Sequence, residues 1–285
     1  MANSAEEMSS RTELTANFVN DSAMMIAYER FLETSREDAL FQDPLARVLA
    51  GDKGEKLSET FGTYAAGFSF DGWPEFHKTW TAVRTKFIDD TIARLASTGH
   101  FRQIVSLGAG FDTRACRLEC FKAFANGSFE VDMEENNAAR RAVFRDILHD
   151  PASHCPVQLV DLDFLDTEKT LTTELAAQAP AFDATQPGIF LAEGLIQYLG
   201  GGKSKLFQDV SRVAVPGSVF ILQFLDGTGT PHVAQGISAD DVTRGNEGWG
   251  DFEFCKFGEE QLNFGRYRER FEPNGLFSFG VFVKK

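Results

Sequence analysis

The sequence has no long hydrophobic run and few cysteines. No apolar stretch approaches the roughly 20 residues that a transmembrane helix requires, and the first dozen residues lack the apolar core of a signal peptide. The four cysteines are Cys116, Cys120, Cys155 and Cys255, and no histidine or cysteine pair completes a zinc-binding set. We therefore expect a cytoplasmic protein with reduced thiols and no bound metal.

Positive charge is also scarce. The chain carries 28 Lys and Arg against 42 Asp and Glu, a net charge of −14. Such a surface repels a phosphate backbone unless the basic residues are clustered, and the densest basic stretch, Arg266–Arg270, is interrupted by Tyr267 and Glu269. Neither a nucleic acid nor an anionic membrane is an expected partner.

Helical patterns fill the first 98 residues, which we expect to form an N-terminal extension and cap. From Leu14 to about Ala50 the apolar residues lie on one helical face, and Pro44 is expected to open a second helix as its first residue. Trp80–Ala96 is predicted to be an amphipathic helix, with an inward face formed by Val83, Phe87, Thr91 and Ile92.

The segment Phe61–Trp80 is unusually rich in glycine and aromatic residues for a connection. It could be a helical cap that packs on the core. Its aromatic content would also suit the wall or the lid of a substrate pocket.

From residue 99 to 285 short apolar runs alternate with helical stretches, which predicts a doubly wound α/β fold with a mainly parallel sheet. The predicted parallel strands are Gln103–Leu107, Ser128–Val131, Gln158–Val160, Gly188–Ala192 and Ser218–Phe224. The predicted helices are Met133–His149, Glu168–Ala179 and Lys203–Val213. Phe252–Phe257 and Phe277–Val283 are predicted strands, and the second alternates strongly enough to be an antiparallel closing strand.

Glycine or acidic residues follow four successive predicted strands, at the edge where an open α/β sheet binds its ligand. Glycines in the first of these segments allow close approach of a ligand to the backbone. A carboxylate at the second can accept the hydroxyl hydrogens of a ribose, and the third offers an acceptor and an apolar side chain for adenine. The four segments are Gly108-Ala109-Gly110-Phe111-Asp112, Asp132, Asp161-Leu162-Asp163 and Glu193-Gly194.

Each of these signals has a simpler explanation when taken singly. Asp132 and Asp161 could merely cap the helices that follow them, but the conjunction of four strand ends favours a nucleoside-like ligand. A nicotinamide dinucleotide site would have a third glycine where Thr113 stands. Asp112 would repel a pyrophosphate and suits a sulfonium or an ammonium. The pattern favours S-adenosylmethionine.

The stretch Ile104–Leu118, IVSLGAGFDTRACRL, resembles the signature of the leucine carboxyl methyltransferase family, close to V-x-LGAG-x-DTR-x-x-RL. The resemblance covers roughly residues 20 to 225. It implies a class I methyltransferase fold with a seven-stranded sheet and a helical cap, S-adenosylmethionine as cofactor, and methyl transfer to a carboxylate or another oxygen. Further matching blocks are Tyr28–Ser35 with Phe41–Ala46, Val83–Asp89, Phe129–Met133 and Ala192–Leu199.

The resemblance also implies the cofactor-binding residues. Arg84 matches the family's cofactor arginine, although without the motif a solvated helix face or a buried ion pair with Asp89 or Asp90 would be the preferred explanation. Arg30 matches the basic residue of the first block approximately. The complete candidate set is Arg30, Arg84, Gly108, Ala109, Gly110, Asp112, Asp132, Met133, Asp161, Leu162, Glu193 and Gly194.

The methyl acceptor is less well defined, because the resemblance ends near Leu225. The following segment, Asp226–Gly250, is rich in glycine and polar residues and offers His232 and Trp249 as pocket residues. Tyr198 could face the substrate or belong to the core. Family members that methylate small metabolites and polyketide acids favour a small carboxylic acid as the acceptor, with Tyr198 and His232 as the candidate catalytic residues.

Other functions stay open at this stage. A carboxylate needs no general base, whereas a phenol would need one, for which His77 and His232 are the candidates. The alternatives are a protein C-terminal carboxyl methyltransferase, a non-catalytic protein that retains the cofactor pocket, and an NAD-dependent oxidoreductase.

Overall fold

The computed structural model describes residues 21–64, 73–226, 236–266 and 277–285. The chain divides into two compact units. The first, the helical unit, comprises Met1–Thr85 and Ala142–Asp150, and the second, the sheet unit, comprises Lys86–Arg141 and Pro151–Lys285.

The helical unit contains α1 (residues 21–34), α2 (Ala46–Tyr64) and the first part of α3 (Trp73–Ser97). Helix α2 begins two residues after Pro44. Oδ1 of Asp43 accepts a hydrogen bond from the backbone N–H of Leu45, 3.2 Å away, as an N-cap residue does. Pro44 therefore takes the first position of this capped turn, where its missing N–H costs nothing.

Helix α2 is kinked at Gly51, whose φ of 55° and ψ of −169° are not helical. Glycine adopts such a conformation with little steric cost because it has no Cβ. The predicted end of the helix near Ala50 thus marks this kink, beyond which the chain resumes the helix as far as Tyr64.

The described residues of the sheet unit form seven strands, numbered β1 to β7 along the chain, in the order β3-β2-β1-β4-β5-β7-β6. Strands β1 to β5 are parallel and β7 is antiparallel to both of its neighbours, which confirms the predicted doubly wound, mainly parallel sheet. The strands are β1 (Gln103–Leu107), β2 (Gly127–Asp132), β3 (Val157–Asp161), β4 (Ile189–Ala192), β5 (Val219–Leu225), β6 (Trp249–Lys256) and β7 (Phe277–Lys284).

Helices cover the sheet and connect the parallel strands. The prediction of α7 (Lys203–Val213) has the correct bounds. Helix α6 (Leu171–Ala176) is shorter than predicted, because Thr170 and Thr173 form a capping box at its start and Pro180 follows its end. The helices are the remainder of α3, α4 (Arg114–Arg117), α5 (Glu134–Asp146), α6 (Leu171–Ala176), α7 (Lys203–Val213) and α8 (Ala239–Gly245).

The chain winds outward from β1 to β3 and then crosses to β4 on the other side of β1. The carboxyl ends of β1 and β4 therefore flank the switch point of the topology, where ligands bind in open α/β sheets. Strands β1, β2, β4 and β5 are buried along their whole length, so this edge rests on a rigid core. Among the residues described above, no helix combines the length and the apolar character needed to cross a bilayer.

Candidate functional site

The glycine loop, residues 108–112, follows β1. Gly108 has a φ of +66° and Gly110 a φ of +48°, a region in which a side chain is strained. The N–H groups of Gly108 and Ala109 both donate to the carbonyl of Val131, at 2.8 and 3.1 Å. A Cβ on Gly108 would lie 2.9 Å from Cδ1 of Leu195. The loop is therefore hydrogen-bonded to β2, and its two glycines allow a ligand to approach the backbone closely.

Asp132, at the end of β2, is a buried carboxylate with three hydrogen bonds. Oδ2 accepts from the N–H of Gly110 at 2.7 Å, and Oδ1 accepts from the N–H of Met133 at 2.8 Å and from Nδ2 of Asn136 at 2.7 Å. Burial raises the pKa of Asp132, and these hydrogen bonds oppose the rise. A carboxylate has about four acceptor positions, so one position on Oδ2 is not used by the described residues.

Asp161 is the partner of Asp132 in the register of β2 and β3. Nδ2 of Asn137 donates to Oδ1 of Asp161 at 2.7 Å, so consecutive asparagines of α5 hold the two strand-end acids. The side chain of Leu162 is buried in the hydrophobic core beneath this edge. Neither asparagine was predicted as a site residue, although Asn136 and Asn137 follow Met133, the end of a block that matches the family, by three and four residues.

Arg114 is the centre of a buried network of charges. Its Nε lies 2.7 Å from Oδ1 of Asp89, Nη1 lies 3.0 Å from Oδ2 of Asp112, and Nη2 lies 2.8 Å from Oε2 of Glu193. Burial alone would raise the pKa of Asp112, but the charge and the backbone N–H of Arg114 lower it to about 2. Asp112 is thus ionised, and its charge is shared with Arg114.

Asp89 also pairs with Arg117, whose Nη1 lies 2.6 Å from Oδ2. The sequence suggested Asp89 only as a partner of Arg84, so its pairs with Arg114 and Arg117 were not predicted. Arg114 stands inside the family signature, but no spacing rule connects it with an acid 25 residues earlier.

The segment after β4 is fixed by two glutamines. Gly194 has a φ of +65°; its N–H donates to Oε1 of Gln223 at 2.8 Å, and its carbonyl accepts from Nε2 of Gln197 at 2.9 Å. Tyr198 ends the short 3-10 helix that follows, and it is half-buried. Both Glu193 and Tyr198 therefore belong to a rigid turn at the carboxyl end of β4.

Arg140 of α5 holds the glycine loop from a second side. Its Nη1 donates to the carbonyl of Gly110 at 2.9 Å, and its Nη2 forms an ion pair with Glu130 of β2. Burial raises the pKa of Glu130 to about 7, although Arg140 opposes the rise. Sequence reasoning missed this pair because Glu130 reads as one residue of a buried strand.

The remaining predicted residues of the helical unit are all buried. Arg30 forms an ion pair with Asp43, with 2.9 Å between Nε and Oδ2. The guanidinium of Arg84 lies over the ring of Trp80, 6.0 Å from its centroid.

His77 belongs to a buried cluster in the same unit. Its Nδ1 lies 2.8 Å from Oε2 of Glu29, which also accepts a hydrogen bond from Oγ1 of Thr81 at 2.5 Å. Burial alone would raise the pKa of Glu29, but His77 and Thr81 hold it below its ordinary value. The cluster gives His77 a fixed orientation.

Two residues that the sequence suggested for the acceptor pocket have different outcomes. His232 lies outside the described residues. The prediction of Trp249 as a pocket residue is wrong, because its side chain packs in the core against the rings of Phe220 and Phe282, at 5.9 and 5.5 Å between centroids. Trp249 stands in a segment rich in glycine and polar residues, which suggested a pocket, whereas it is the first residue of strand β6.

Known proteins have sequences similar to this chain. A family model described as leucine carboxyl methyltransferase matches residues 23–210. A protein of Mycobacteroides abscessus described as a "Putative S-adenosyl-L-methionine-dependent methyltransferase" is 31% identical over 206 residues, 70% of this chain and 64% of that relative. The chain thus spans slightly less than two thirds of that relative's length.

Solved structures show the same fold at low sequence identity. A DUF574 family protein from Streptomyces avermitilis superimposes with a TM-score of 0.59 at 14% identity, over 93% of this chain and 97% of that one. A "putative methyltransferase" from Thermobifida fusca gives a TM-score of 0.56 at 19% identity, over 82% and 89% of the two chains. The family model matches well over half of the residues of this chain, so this chain belongs to the leucine carboxyl methyltransferase family.

Proposed function

We propose that the protein transfers the methyl group of S-adenosylmethionine to the carboxylate of a small organic acid. The observation that carries the proposal is the pair of register-matched acids at the ends of β2 and β3, beside a glycine loop. Family membership supports the cofactor, and the net charge of −14 disfavours polyanionic acceptors.

The residues at the sheet edge fit this cofactor. The unused acceptor position of Asp132 suits a ribose hydroxyl, and Asp161 on the neighbouring strand suits the adenine amino group. With this strand order we expect the amino-acid part of the cofactor over β1 and its methyl group toward β4. The resemblance adds Arg30 and Arg84 as cations for the cofactor's carboxylate.

The cofactor supplies an activated methyl group, and the protein supplies alignment. The acceptor carboxylate is ionised at neutral pH and requires no general base. Holding two reactants in line can lower the barrier by about 7–11 kcal/mol. We assign Tyr198, on the turn after β4, to orientation of the acceptor; His232, outside the described residues, is the second candidate from the sequence.

The test has two steps. Calorimetry with S-adenosylhomocysteine and, separately, with NADH should give binding of the first ligand only. Incubation with S-adenosylmethionine and a panel of small carboxylic acids should then release S-adenosylhomocysteine and form methyl esters. Binding of the cofactor without turnover of any acid or of a peptide carboxyl terminus would indicate a non-catalytic protein and contradict the proposal.

A further inference from the structure

We propose that Arg114 is a positioning residue for the cofactor site: one guanidinium fixes the glycine loop and the acid after β4 in a single arrangement. The inference rests on the proposed function, because it names what holds the same site in shape. Arg114 meets its three carboxylates with three different nitrogens. It therefore acts on the site through other side chains.

The three carboxylates come from three separate parts of the sheet unit. Asp89 lies on α3, Asp112 ends the glycine loop, and Glu193 follows β4. A guanidinium is planar and presents its donors in fixed directions, whereas an ammonium is a point charge on a flexible stem. Arginine can therefore hold three acids at set angles from one side chain, whereas a lysine would hold them less firmly.

A chain of hydrogen bonds carries this restraint to the ribose-binding position. Oδ1 of Asp112 accepts from the backbone N–H of Arg114 at 2.8 Å, and the N–H of Asp112 donates to the carbonyl of Ala109 at 3.0 Å. Gly110, inside that turn, donates to Oδ2 of Asp132 at 2.7 Å. A rotation of Asp112 would therefore disturb the turn that orients Asp132.

The burial of these four charged side chains leads to the same conclusion as the geometry, that Arg114 holds the site in shape. The side chains of Asp89, Asp112 and Arg114 are at most 10% exposed, and that of Glu193 is 16% exposed. Removing the guanidinium leaves these acids close together with little water to screen them. Like charges in such a place either move apart or take up protons. Either response changes the shape or the charge of the site.

Arg117 provides a matched control. Its side chain is 3% exposed and pairs with Asp89, one helical turn after Arg114. Its hydrogen bonds include those to Asp89 and Thr113, and its charge lowers the pKa of Asp112 less than that of Arg114 does. Replacing Arg117 therefore removes an equally buried guanidinium from the same network while the contacts of Arg114 with Asp112 and Glu193 remain.

The experiment compares Arg114→Met, Arg114→Lys and Arg117→Met with the wild type, by thermal unfolding and by calorimetry with S-adenosylhomocysteine. We expect both methionine variants to unfold at lower temperature. Only Arg114→Met should bind at least 30-fold more weakly, and Arg117→Met should stay within about threefold of the wild type. Arg114→Lys, which keeps the charge and is expected to fold, should lose at least tenfold.

The pH dependence separates positioning from a structural role. In Arg114→Met the binding defect should shrink as the pH falls from 8 to 5.5, because protonation of the buried acids relieves their repulsion. A further variant, Arg114→Ala, tests the guanidinium group itself: guanidinium ions at millimolar concentration should partly restore its binding of S-adenosylhomocysteine. Equal losses in the Arg114 and Arg117 variants, or normal binding by Arg114→Lys, would overturn the inference. Failure of the wild type to bind S-adenosylhomocysteine would overturn the proposed function and this inference with it.

Discussion

Asp132 has one task that the structure shows and one that we propose: it fixes the glycine loop and the start of α5 by hydrogen bonds, and in the proposed function it also accepts a ligand hydroxyl. Both explanations given by the sequence, a helix cap and a ribose contact, are compatible with this geometry. The two tasks can be separated because they affect different measurements.

We predict that Asp132→Ala weakens binding of S-adenosylhomocysteine by about 1.5–3 kcal/mol, the range for hydrogen bonds to a charged group. The melting temperature should also fall, since three protein hydrogen bonds are lost. Asp163→Ala, which removes an exposed acid two residues beyond Asp161, is the control and should bind normally. Calorimetry that shows unchanged affinity in Asp132→Ala would reduce this residue to a cap.

Glu130 predicts a pH dependence of stability. Its pKa is raised by burial from 4.5 to about 7, so between these values the folded state holds a proton that the unfolded state has lost. Stability therefore falls as the pH rises through this window. Glu130→Gln removes the titrating carboxyl group. The free energy of unfolding of this variant minus that of the wild type should therefore increase between pH 5 and pH 8 by on the order of 2 kcal/mol.

Denaturant titrations at both pH values test this prediction. Glu168→Gln, at an exposed position, should show no comparable trend. If the difference between Glu130→Gln and the wild type is the same at pH 5 and pH 8, Glu130 does not titrate in this range.

At the scale of secondary structure, periodicity located the parallel strands and α7 because each buried strand is a short apolar run between turn residues. Periodicity could not give the position of a strand in the sheet. Phe277–Val283 was correctly predicted as antiparallel, but β7 lies between β5 and β6 and does not close the sheet. The partners of Arg114 were missed for the same reason, since they are joined by the fold and not by the local sequence.

The loop after β1 gives a prediction for an element as a whole. Gly108→Ala places a methyl group 2.9 Å from Cδ1 of Leu195 at a φ of +66°, so it should cost more than the roughly 1–2 kcal/mol of a left-handed alanine. Gly200→Ala is the control, because Gly200 has a φ of +50° and nothing within 4 Å of the added Cβ.

Unfolding of the two alanine variants in denaturant is the measurement. The variant at Gly108 should be the less stable and should bind S-adenosylhomocysteine more weakly, whereas the variant at Gly200 should pay only the conformational cost. Equal stability losses and equal affinities would show that the loop does not need its close approach to Leu195.

For the whole enzyme reaction, a carboxylate acceptor predicts a kcat that is nearly flat from about pH 6 to 9, where the nucleophile is fully ionised. A phenolic or alcoholic acceptor would show a rising limb set by its general base. The measurement is a pH–rate profile at saturating cofactor with the best acid of the panel. The Glu130→Gln variant is measured alongside, so that titration of Glu130 is not mistaken for that of a base.

The product gives an independent check of the same prediction. A methyl ester is hydrolysed by mild alkali, whereas a methyl ether survives. An alkali-stable product would rule out carboxyl methylation and leave the methyltransferase assignment in place.

The strand order also has a consequence for synthesis of the protein. β6 is made before β7, yet its recorded partner in the sheet is β7, which in turn separates it from β5. Until β7 has been made and released, the edges of β5 and β6 that face it in the folded protein have no native partner, and exposed edges readily pair with other chains. A chaperone that covers these two edges during this interval would protect the nascent protein from such pairing.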